Sequence, residues 1–398
     1  MNTPNPVFIP GPTNIPDELR RAIDVQTIDH RSSAFGELLH PTLEGVKRIF
    51  KTKTGTAFIL PTTGTGAWET AITNTLSPGD KVLVSRYGVF SHKWIDLCER
   101  HGLDVMVVEQ GWGLGAPADT FAEILAADRS HEIKAVLVTH NETATGVRSN
   151  IRQVRQAIDA SNHPAMLYVD GVSSIGSMDF RMDEWGVDIA ITGSQKGFML
   201  PPGLGILCLS EKALVTTKTA KLSRCFFDLG DMATNYEIGG YPYTPPVALI
   251  KGLSHAIGML EAETLPAVFA RHYRIAEGVR RAVSAWGFDL CAKDSHLYSD
   301  TVSTILLPES VDGNAVVAHA ADAYQVAFGA GLGQLAGKAF RIGHLGQLTD
   351  VMALSGIATA EMVLSDMGAS IQMGSGVAAA QEFYRSSHAA NARMKRAA

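Results

Sequence analysis

The chain has 398 residues, of which 46% are hydrophobic and 19% charged, so it can bury the cores of one large domain and a smaller one. The formal net charge of -6 argues against nucleic acid as the main partner, because phosphate backbones are bound by an excess of lysine and arginine. No apolar run reaches the roughly 18 residues that indicate a membrane-spanning helix, and residues 1–6 lack a secretory signal pattern, so we expect a cytoplasmic protein without membrane contacts.

Short β-branched apolar runs alternate with amphipathic stretches up to about residue 210, which is typical of an α/β domain with a mainly parallel sheet. The predicted strands of this part are 81–85, 105–108, 135–139, 166–169, 188–192 and 205–209. The predicted helices between them are 68–76, 91–101 and 150–160.

From about residue 262 the pattern restarts, which indicates a smaller α+β domain. Its predicted elements are a helix at 272–286, a strand at 301–307 and helices at 313–324 and 349–367. We therefore predict a large domain over 21–261, a small C-terminal domain over 262–398, and an N-terminal segment, 1–20, that packs near the small domain.

The cysteines and histidines predict no metal site. Cys98, Cys208, Cys225 and Cys291 show no Cys-x-x-Cys spacing, so we expect reduced, mostly buried thiols without disulfides. The thirteen histidines include no pair at metal-ligand spacing with a carboxylate partner.

Two charged residues follow buried apolar runs. Lys196 comes just after the run at 188–192, and Asp170 follows the run at 165–169, where we expect the strand to meet solvent. A lysine that loses hydration is easier to deprotonate, and its amine can then attack an aldehyde. A carboxylate can keep the ring nitrogen of pyridoxal phosphate protonated, so the pair fits Schiff-base chemistry on that coenzyme. Taken alone, the pair also fits a solvated edge lysine and a helix-capping aspartate.

A loop of small residues at 61–66 follows the apolar run at 57–60 and precedes the helix at 68–76. Small residues let backbone N–H groups approach an anion, and a helix N-terminus adds positive partial charge. The hydroxyls of Thr63 and Thr65 are further donors. Ordinary helix capping also explains such a loop, but beside Asp170 and Lys196 it completes a site for the phosphate, the ring nitrogen and the imine.

The chain resembles the class V, fold-type I pyridoxal-phosphate aminotransferases, and within them the alanine/serine–glyoxylate group. The matching motifs run almost end to end, at 10–14, 61–69, 140–146, 169–174, 193–196, 243–246, 341–346 and 374–377. The resemblance implies an α/β fold-type I architecture, that Lys196 forms the Schiff base with pyridoxal phosphate, and that Asp170 pairs with the ring nitrogen. It assigns the phosphate to Thr63, Gly64, Thr65 and Gln195.

The resemblance implies further roles for residues that also suit plain packing. Phe90 would stack on the coenzyme ring, at a place where many members have tryptophan, and Val172 would cover the opposite face. Thr143 would lie near the ring hydroxyl. Arg341 would bind the substrate carboxylate through two parallel hydrogen bonds.

In the resembled family the segment containing Tyr241 and Thr244 reaches the phosphate of the neighbouring subunit, which implies a homodimer with shared active sites. The residues alone fit a rigid, proline-rich surface loop equally well. His30 and Arg31 fit either a contact to a polar substrate side chain or a structural role.

Two other motifs are discounted. The glycine pattern at 331–336 resembles a dinucleotide fingerprint but lies late in the chain and opens no early βαβ unit. The segment at 171–176 misses the nucleophile elbow of serine hydrolases by one residue. A nicotinamide enzyme or a serine hydrolase is therefore a poor second hypothesis.

The implied reaction is transamination of glyoxylate to glycine by a small L-amino acid, with the freed Lys196 amine as general base at the α-carbon. The strings at 29–32, 197–203, 232–236 and 240–246 resemble those of bacterial L-aspartate–glyoxylate enzymes, and L-serine–glyoxylate enzymes share most of them. We predict L-aspartate as donor, with L-serine as the alternative. More remote alternatives are a cysteine desulfurase-like lyase, which needs a cysteine on a mobile loop, and a non-catalytic coenzyme-binding regulator, which needs an added DNA-binding domain.

Overall fold

A computed structural model describes residues 6–397, with the side chains described as far as residue 387. Within residues 6–397 the α-helices are α1 Asp17–Ile23, α2 Ser33–Phe50, α3 Gly64–Thr75, α4 Val89–Arg100, α5 Ala118–Ala127, α6 Ile151–Ala160, α7 Glu211–Thr217, α8 Leu229–Glu237, α9 Val247–Glu263, α10 Leu265–Ala285, α11 Gly313–Tyr324, α12 Asp350–Asp366 and α13 Ser375–Ala397. The strands are β1 Val7–Phe8, β2 Thr56–Leu60, β3 Lys81–Arg86, β4 Asp104–Glu109, β5 Ile133–Thr139, β6 Asn141–Glu142, β7 Val147–Arg148, β8 Met166–Asp170, β9 Ile189–Gly193, β10 Gly205–Leu209, β11 Val302–Leu306, β12 Ala327–Ala330 and β13 Ala339–Gly343.

The larger sheet has seven strands in the order β2-β10-β9-β8-β5-β3-β4. Of these, β10 alone runs antiparallel to its neighbours, so the sheet is mainly parallel, as predicted. Because β8 and β9 are parallel, with Asp170 opposite Ile191, their carboxyl ends meet at one edge of the sheet. Ligands of α/β proteins bind at this edge.

Apolar composition explains why the central strands form. Every residue of β8, β9 and β10 is buried, because helices cover both faces of a parallel sheet. Each of the six strands predicted for this sheet lies within two residues of its predicted bounds. Among residues 6–397 no helix has the length and apolar content needed to cross a membrane, and a cytoplasmic location stays a prediction.

A smaller sheet has the order β1-β12-β13-β11 and its own hydrophobic cluster. Strand β1 joins β12 in parallel, so the N-terminal segment extends this sheet, although residues 1–5 of the predicted segment 1–20 lie outside the described residues. The domain boundaries at 20/21 and 261/262 stay predictions.

The helix predicted at 272–286 is too short at its start, because α10 begins at Leu265. Pro266 lies in the first turn of this helix. Its fixed φ angle is already helical, and the N–H group that proline lacks would have no partner within the helix at this position, so the helix can begin here.

Candidate active site

Asp170 and Lys196 lie at the carboxyl edge of the larger sheet and are both buried. Asp170 ends β8 and is 4% exposed, while Lys196 lies on the turn after β9 and is 9% exposed. The expectation that the strand meets solvent at Asp170 is therefore wrong. The physical reason is that the turn after β8 closes over the strand end, with Val172 packed against Gly64 at the start of α3.

Burial shifts the pKa of both residues toward neutrality. It raises the pKa of Asp170 to about 7, where a hydrogen bond from the Val172 N–H at 2.9 Å and attraction by Lys196 oppose the rise. Burial lowers the pKa of Lys196 to about 8, with repulsion by Arg341 in the same direction and attraction by Asp170 against it. A lysine with this pKa is partly a neutral amine near neutral pH, which suits both a nucleophile and a general base.

Residues 9–14 cross over the lysine on their way from the smaller sheet. The Lys196 amine donates a hydrogen bond to the Pro10 carbonyl oxygen, and the Thr13 N–H donates to the Gln195 carbonyl at 3.2 Å. Gly11 has a φ of +109°, and a β-carbon there would lie 2.5 Å from the Lys196 Nζ. Only glycine fits this crossing, and the sequence motif at 10–14 does not by itself predict this role.

The loop between β2 and α3 fits the predicted phosphate cradle. Thr63 is the N-cap of α3, but its side chain makes no capping hydrogen bond, so the first N–H groups of the helix remain available to an anion. The Gln195 Oε1 atom is buried, and within the part of the chain that the structure describes it has no hydrogen-bond partner. It lies beside Gly193, on the side that also faces the Gly64 N–H. An amide there can turn its NH₂ group toward a phosphate.

Thr65 is exposed at the start of α3, and Phe90 is half-buried in the first turn of α4. The Lys93 ammonium lies 5.7 Å from the centre of the Phe90 ring. Thr143 is buried and its hydroxyl donates a hydrogen bond to Ser173 Oγ at 2.8 Å. The phosphate-binding role of Thr65 and the ring-binding roles of Phe90 and Thr143 stay predictions.

Arg341 lies on β13 of the smaller sheet and is 7% exposed. Its Nε donates to the Ala330 carbonyl at 2.9 Å and its Nη1 to the Thr143 carbonyl at 3.1 Å. Burial lowers the pKa of Arg341 to about 10, and attraction by Glu142 opposes this shift. Because these two hydrogen bonds go to neutral carbonyls, neither of them neutralises the guanidinium charge, and binding of a substrate carboxylate by Arg341 stays a prediction.

Among the described residues, no contact joins Tyr241 or Thr244 to Lys196. The Tyr241 hydroxyl donates to the Ile59 carbonyl at 2.7 Å, at the end of the strand that precedes the phosphate loop, and Thr244 is exposed. Their role in a neighbouring subunit stays a prediction. His30 and Arg31 lie in the loop between α1 and α2, where Arg31 is exposed.

Glu142 is a residue near the site for which sequence analysis gave no role. It is 0% exposed, and its charge affects the pKa of both Asp170 and Arg341. The one sequence signal was a carboxylate inside the polar motif at 140–146. Three of the four cysteines are buried, as expected, and Cys225 is exposed.

Comparison with known proteins agrees with this geometry. The class V aminotransferase family model matches residues 20–333. The chain is 66% identical over 390 residues to the L-aspartate–glyoxylate aminotransferase of Paracoccus denitrificans, covering 98% of each protein. It is 54% identical over 380 residues to the serine–glyoxylate aminotransferase of Hyphomicrobium methylovorum, covering 95% of this chain and 94% of that one.

Among solved structures, the pyridoxamine–pyruvate aminotransferase of Mesorhizobium loti is similar, with a TM-score of 0.89 and 26% identity over 97% of this chain and 98% of that one. The fold is thus shared with fold-type I enzymes along nearly the whole chain, and the predicted fold class is confirmed. On the family match and on these identities, the chain belongs to the class V aminotransferases.

Proposed function

We propose that this enzyme transfers the amino group of L-aspartate to glyoxylate, forming oxaloacetate and glycine, with pyridoxal phosphate as coenzyme. The observation that carries this proposal is the buried pair of Lys196, whose pKa of about 8 suits proton transfer near neutral pH, and Asp170 at the end of the adjacent strand. The 66% identity to an L-aspartate–glyoxylate aminotransferase supports the choice of substrates.

The coenzyme, when bound, supplies an aldehyde that takes up the amino group and a ring that withdraws electrons from the substrate. The Asp170 carboxylate would face its ring nitrogen, and the free N-terminus of α3 would hold its phosphate. Phe90 and Val172 would cover the two faces of the ring. The residues around the phosphate would be Thr63, Gly64, Thr65 and Gln195, with Thr143 near the ring hydroxyl.

Lys196 would hold the coenzyme between turnovers and move the proton at the substrate α-carbon within each half of the reaction. Arg341 would bind the α-carboxylate, which every α-amino acid and α-keto acid carries. Because amino donor and keto acceptor occupy the site in turn, one arginine serves both halves. The burial of Lys196 would exclude water from the reacting carbon.

L-Serine is the second candidate donor, and the 54% identity to a serine–glyoxylate aminotransferase favours it. The test is a half-reaction assay in which the coenzyme-loaded protein is mixed separately with L-aspartate, L-serine and L-alanine. We expect aspartate to discharge the visible band of the coenzyme fastest and glyoxylate to restore it. If serine reacts tenfold faster, a barrier difference of about 1.4 kcal/mol, the aspartate assignment is wrong.

We also infer a homodimer in which Tyr241 and Thr244 contribute to the neighbouring site. The support is an exposed apolar surface next to this segment, with Phe226 and Tyr243 stacked at 5.0 Å and Ile238 82% exposed. Apolar groups of this kind are typical of subunit interfaces. Sedimentation equilibrium of the wild type and of Ile238→Asp tests this inference, because a monomeric wild type contradicts it.

A further inference from the structure

Glu142 connects two parts of the active site through its side chain. Its Oε1 accepts hydrogen bonds from the Phe90 N–H at 3.2 Å and the Ala144 N–H at 3.1 Å, while its Oε2 accepts from the Ser91 N–H at 2.8 Å. All three donors are backbone groups. The carboxylate therefore fixes the first turn of α4, which carries Phe90, to the turn that follows Glu142.

Gly88 makes this contact possible. It precedes α4, and a β-carbon at this position would clash with the Glu142 side chain. Its φ of 175° is extended backbone that any residue can adopt, so the lack of space, and not the conformation, requires glycine here. Burial raises the pKa of Glu142, and the hydrogen bonds from the Ser91, Ala144 and Phe90 N–H groups at the helix N-terminus and the following turn oppose this rise.

The same turn holds the carboxylate-binding arginine. The carbonyl of Thr143, the residue next to Glu142, accepts the hydrogen bond from Arg341 Nη1 at 3.1 Å. The Glu142 carbonyl closes the turn by accepting from the Gly146 N–H at 2.9 Å. Displacement of the Glu142 side chain would thus move both the turn under Phe90 and the carbonyl that orients Arg341.

We propose that Glu142 is a positioning residue of the active site, which fixes Phe90 against the coenzyme ring and Arg341 toward the substrate carboxylate. This proposal rests on the proposed function. Because it accepts its hydrogen bonds from backbone N–H groups, Glu142 would act through the α4 N-terminus and the Thr143 turn. In its ionised form, Glu142 also raises the pKa of Asp170 and opposes the fall in the pKa of Arg341.

The test is Glu142→Gln, which keeps the size of the side chain but places an NH₂ group against backbone N–H donors. Glu361→Gln is a matched control. Glu361 is another buried carboxylate, and it accepts from the Gly374 and Gly376 N–H groups at 2.9 Å and 2.6 Å around the start of α13, in the cluster behind the smaller sheet. Both variants should unfold at a lower temperature than the wild type, because each leaves a buried donor without an acceptor.

Only Glu142→Gln should change the binding and the visible spectrum of the coenzyme. We expect its dissociation constant for pyridoxal phosphate and its KM for the amino donor to rise roughly tenfold or more. The circular dichroism of its visible band should fall, and the pH midpoint of that band should shift. Glu361→Gln should keep the wild-type dissociation constant, KM, circular dichroism and pH midpoint.

Equal coenzyme spectra and binding constants in both variants would reduce Glu142 to a fold-stabilising residue and overturn the proposal. If Glu142→Gln does not fold, Glu142→Asp replaces it. That variant keeps the charge but is one methylene shorter, so loss of the circular dichroism supports the positioning role and a wild-type signal contradicts it. A wild type that binds no coenzyme, or that no amino acid discharges, refutes the proposed function itself and is distinguishable from these outcomes.

Discussion

Replacing Asp170 with asparagine should stabilise the coenzyme-free protein while it destroys catalysis. The carboxyl is 4% exposed, and burial raises its pKa to about 7 from an ordinary value of 3.8. Each pKa unit corresponds to about 1.4 kcal/mol, so the ionised side chain lowers the free energy of unfolding by about 4 kcal/mol at pH 8. Asparagine carries no charge and can still accept the hydrogen bond from the Val172 N–H.

The sign of the pH dependence follows from the direction of this shift. A carboxyl whose pKa is raised by folding contributes its full stability below about pH 4, and that stability is lost as the pH rises through about 7. The gain from Asp170→Asn should therefore be largest above pH 7. From the same two pKa values we expect a gain of about 4 kcal/mol at pH 8 and about 2 kcal/mol at pH 5.

Urea unfolding of the coenzyme-free proteins at both pH values measures this difference. Asp188→Asn is a suitable control, because Asp188 is also buried but accepts hydrogen bonds from the Leu167 N–H and the Ser210 hydroxyl, both at 2.9 Å, and lies 4.0 Å from Arg155. That variant should be less stable than the wild type at pH 8. A variant Asp170→Asn that gains nothing at pH 8, or gains as much at pH 5, refutes the electrostatic argument. Its transamination rate should fall by orders of magnitude, because a neutral pyridine withdraws electrons poorly.

Three further substitutions test other parts of the site. Lys196→Ala should abolish both the visible band of the bound coenzyme and transamination, which absorbance and a coupled assay measure; an active variant would contradict the central assignment. Arg341→Ala should raise the KM for amino donor and glyoxylate together, by about 2 to 5 kcal/mol in binding, and Arg341→Lys should recover only part of this, since lysine lacks the planar fork. Gly11→Ala should lower the unfolding temperature and slow coenzyme capture, because its β-carbon would lie 2.5 Å from the Lys196 Nζ at a φ of +109°; unchanged stability and capture would show that residues 9–14 move away freely.

Local sequence patterns predict six of the seven strands of the larger sheet, and indicate β2 only as an apolar run at 57–60. The central strands of this sheet are short, mainly apolar runs bounded by turn residues, so composition indicates their type and their approximate ends. The smaller sheet gave a weaker signal. Strand β13 has the charged Arg341 in its middle, and β1 has only two residues. Such strands form because neighbouring chain segments pair with them, which a single sequence does not display.

The sequence predicts candidate roles at the site where the residue type limits them. It does not predict burial or roles that depend on contacts between residues far apart in the chain. Lys196 and Asp170 after apolar runs predict Schiff-base chemistry only together with the phosphate loop and the family resemblance, whereas the burial of Asp170 depends on Val172 and Gly64 closing over the strand end. The role of Glu142 depends on the Phe90 helix, which begins more than 50 residues earlier in the chain. No local pattern reports that contact.

The division of the site between two sheets explains why so many of its contacts involve the backbone. Lys196 and Asp170 belong to the larger sheet and Arg341 to the smaller one, so their separation depends on the segments that join the sheets. The turn at 141–146 is such a segment. Its Ala144 carbonyl accepts from the Thr304 hydroxyl on β11 at 3.3 Å, and its Thr143 carbonyl accepts from Arg341 on β13. Backbone carbonyls carry no charge and do not titrate, so they can hold the two sheets at a fixed spacing without altering the pKa values on which the proposed proton transfer by Lys196 depends.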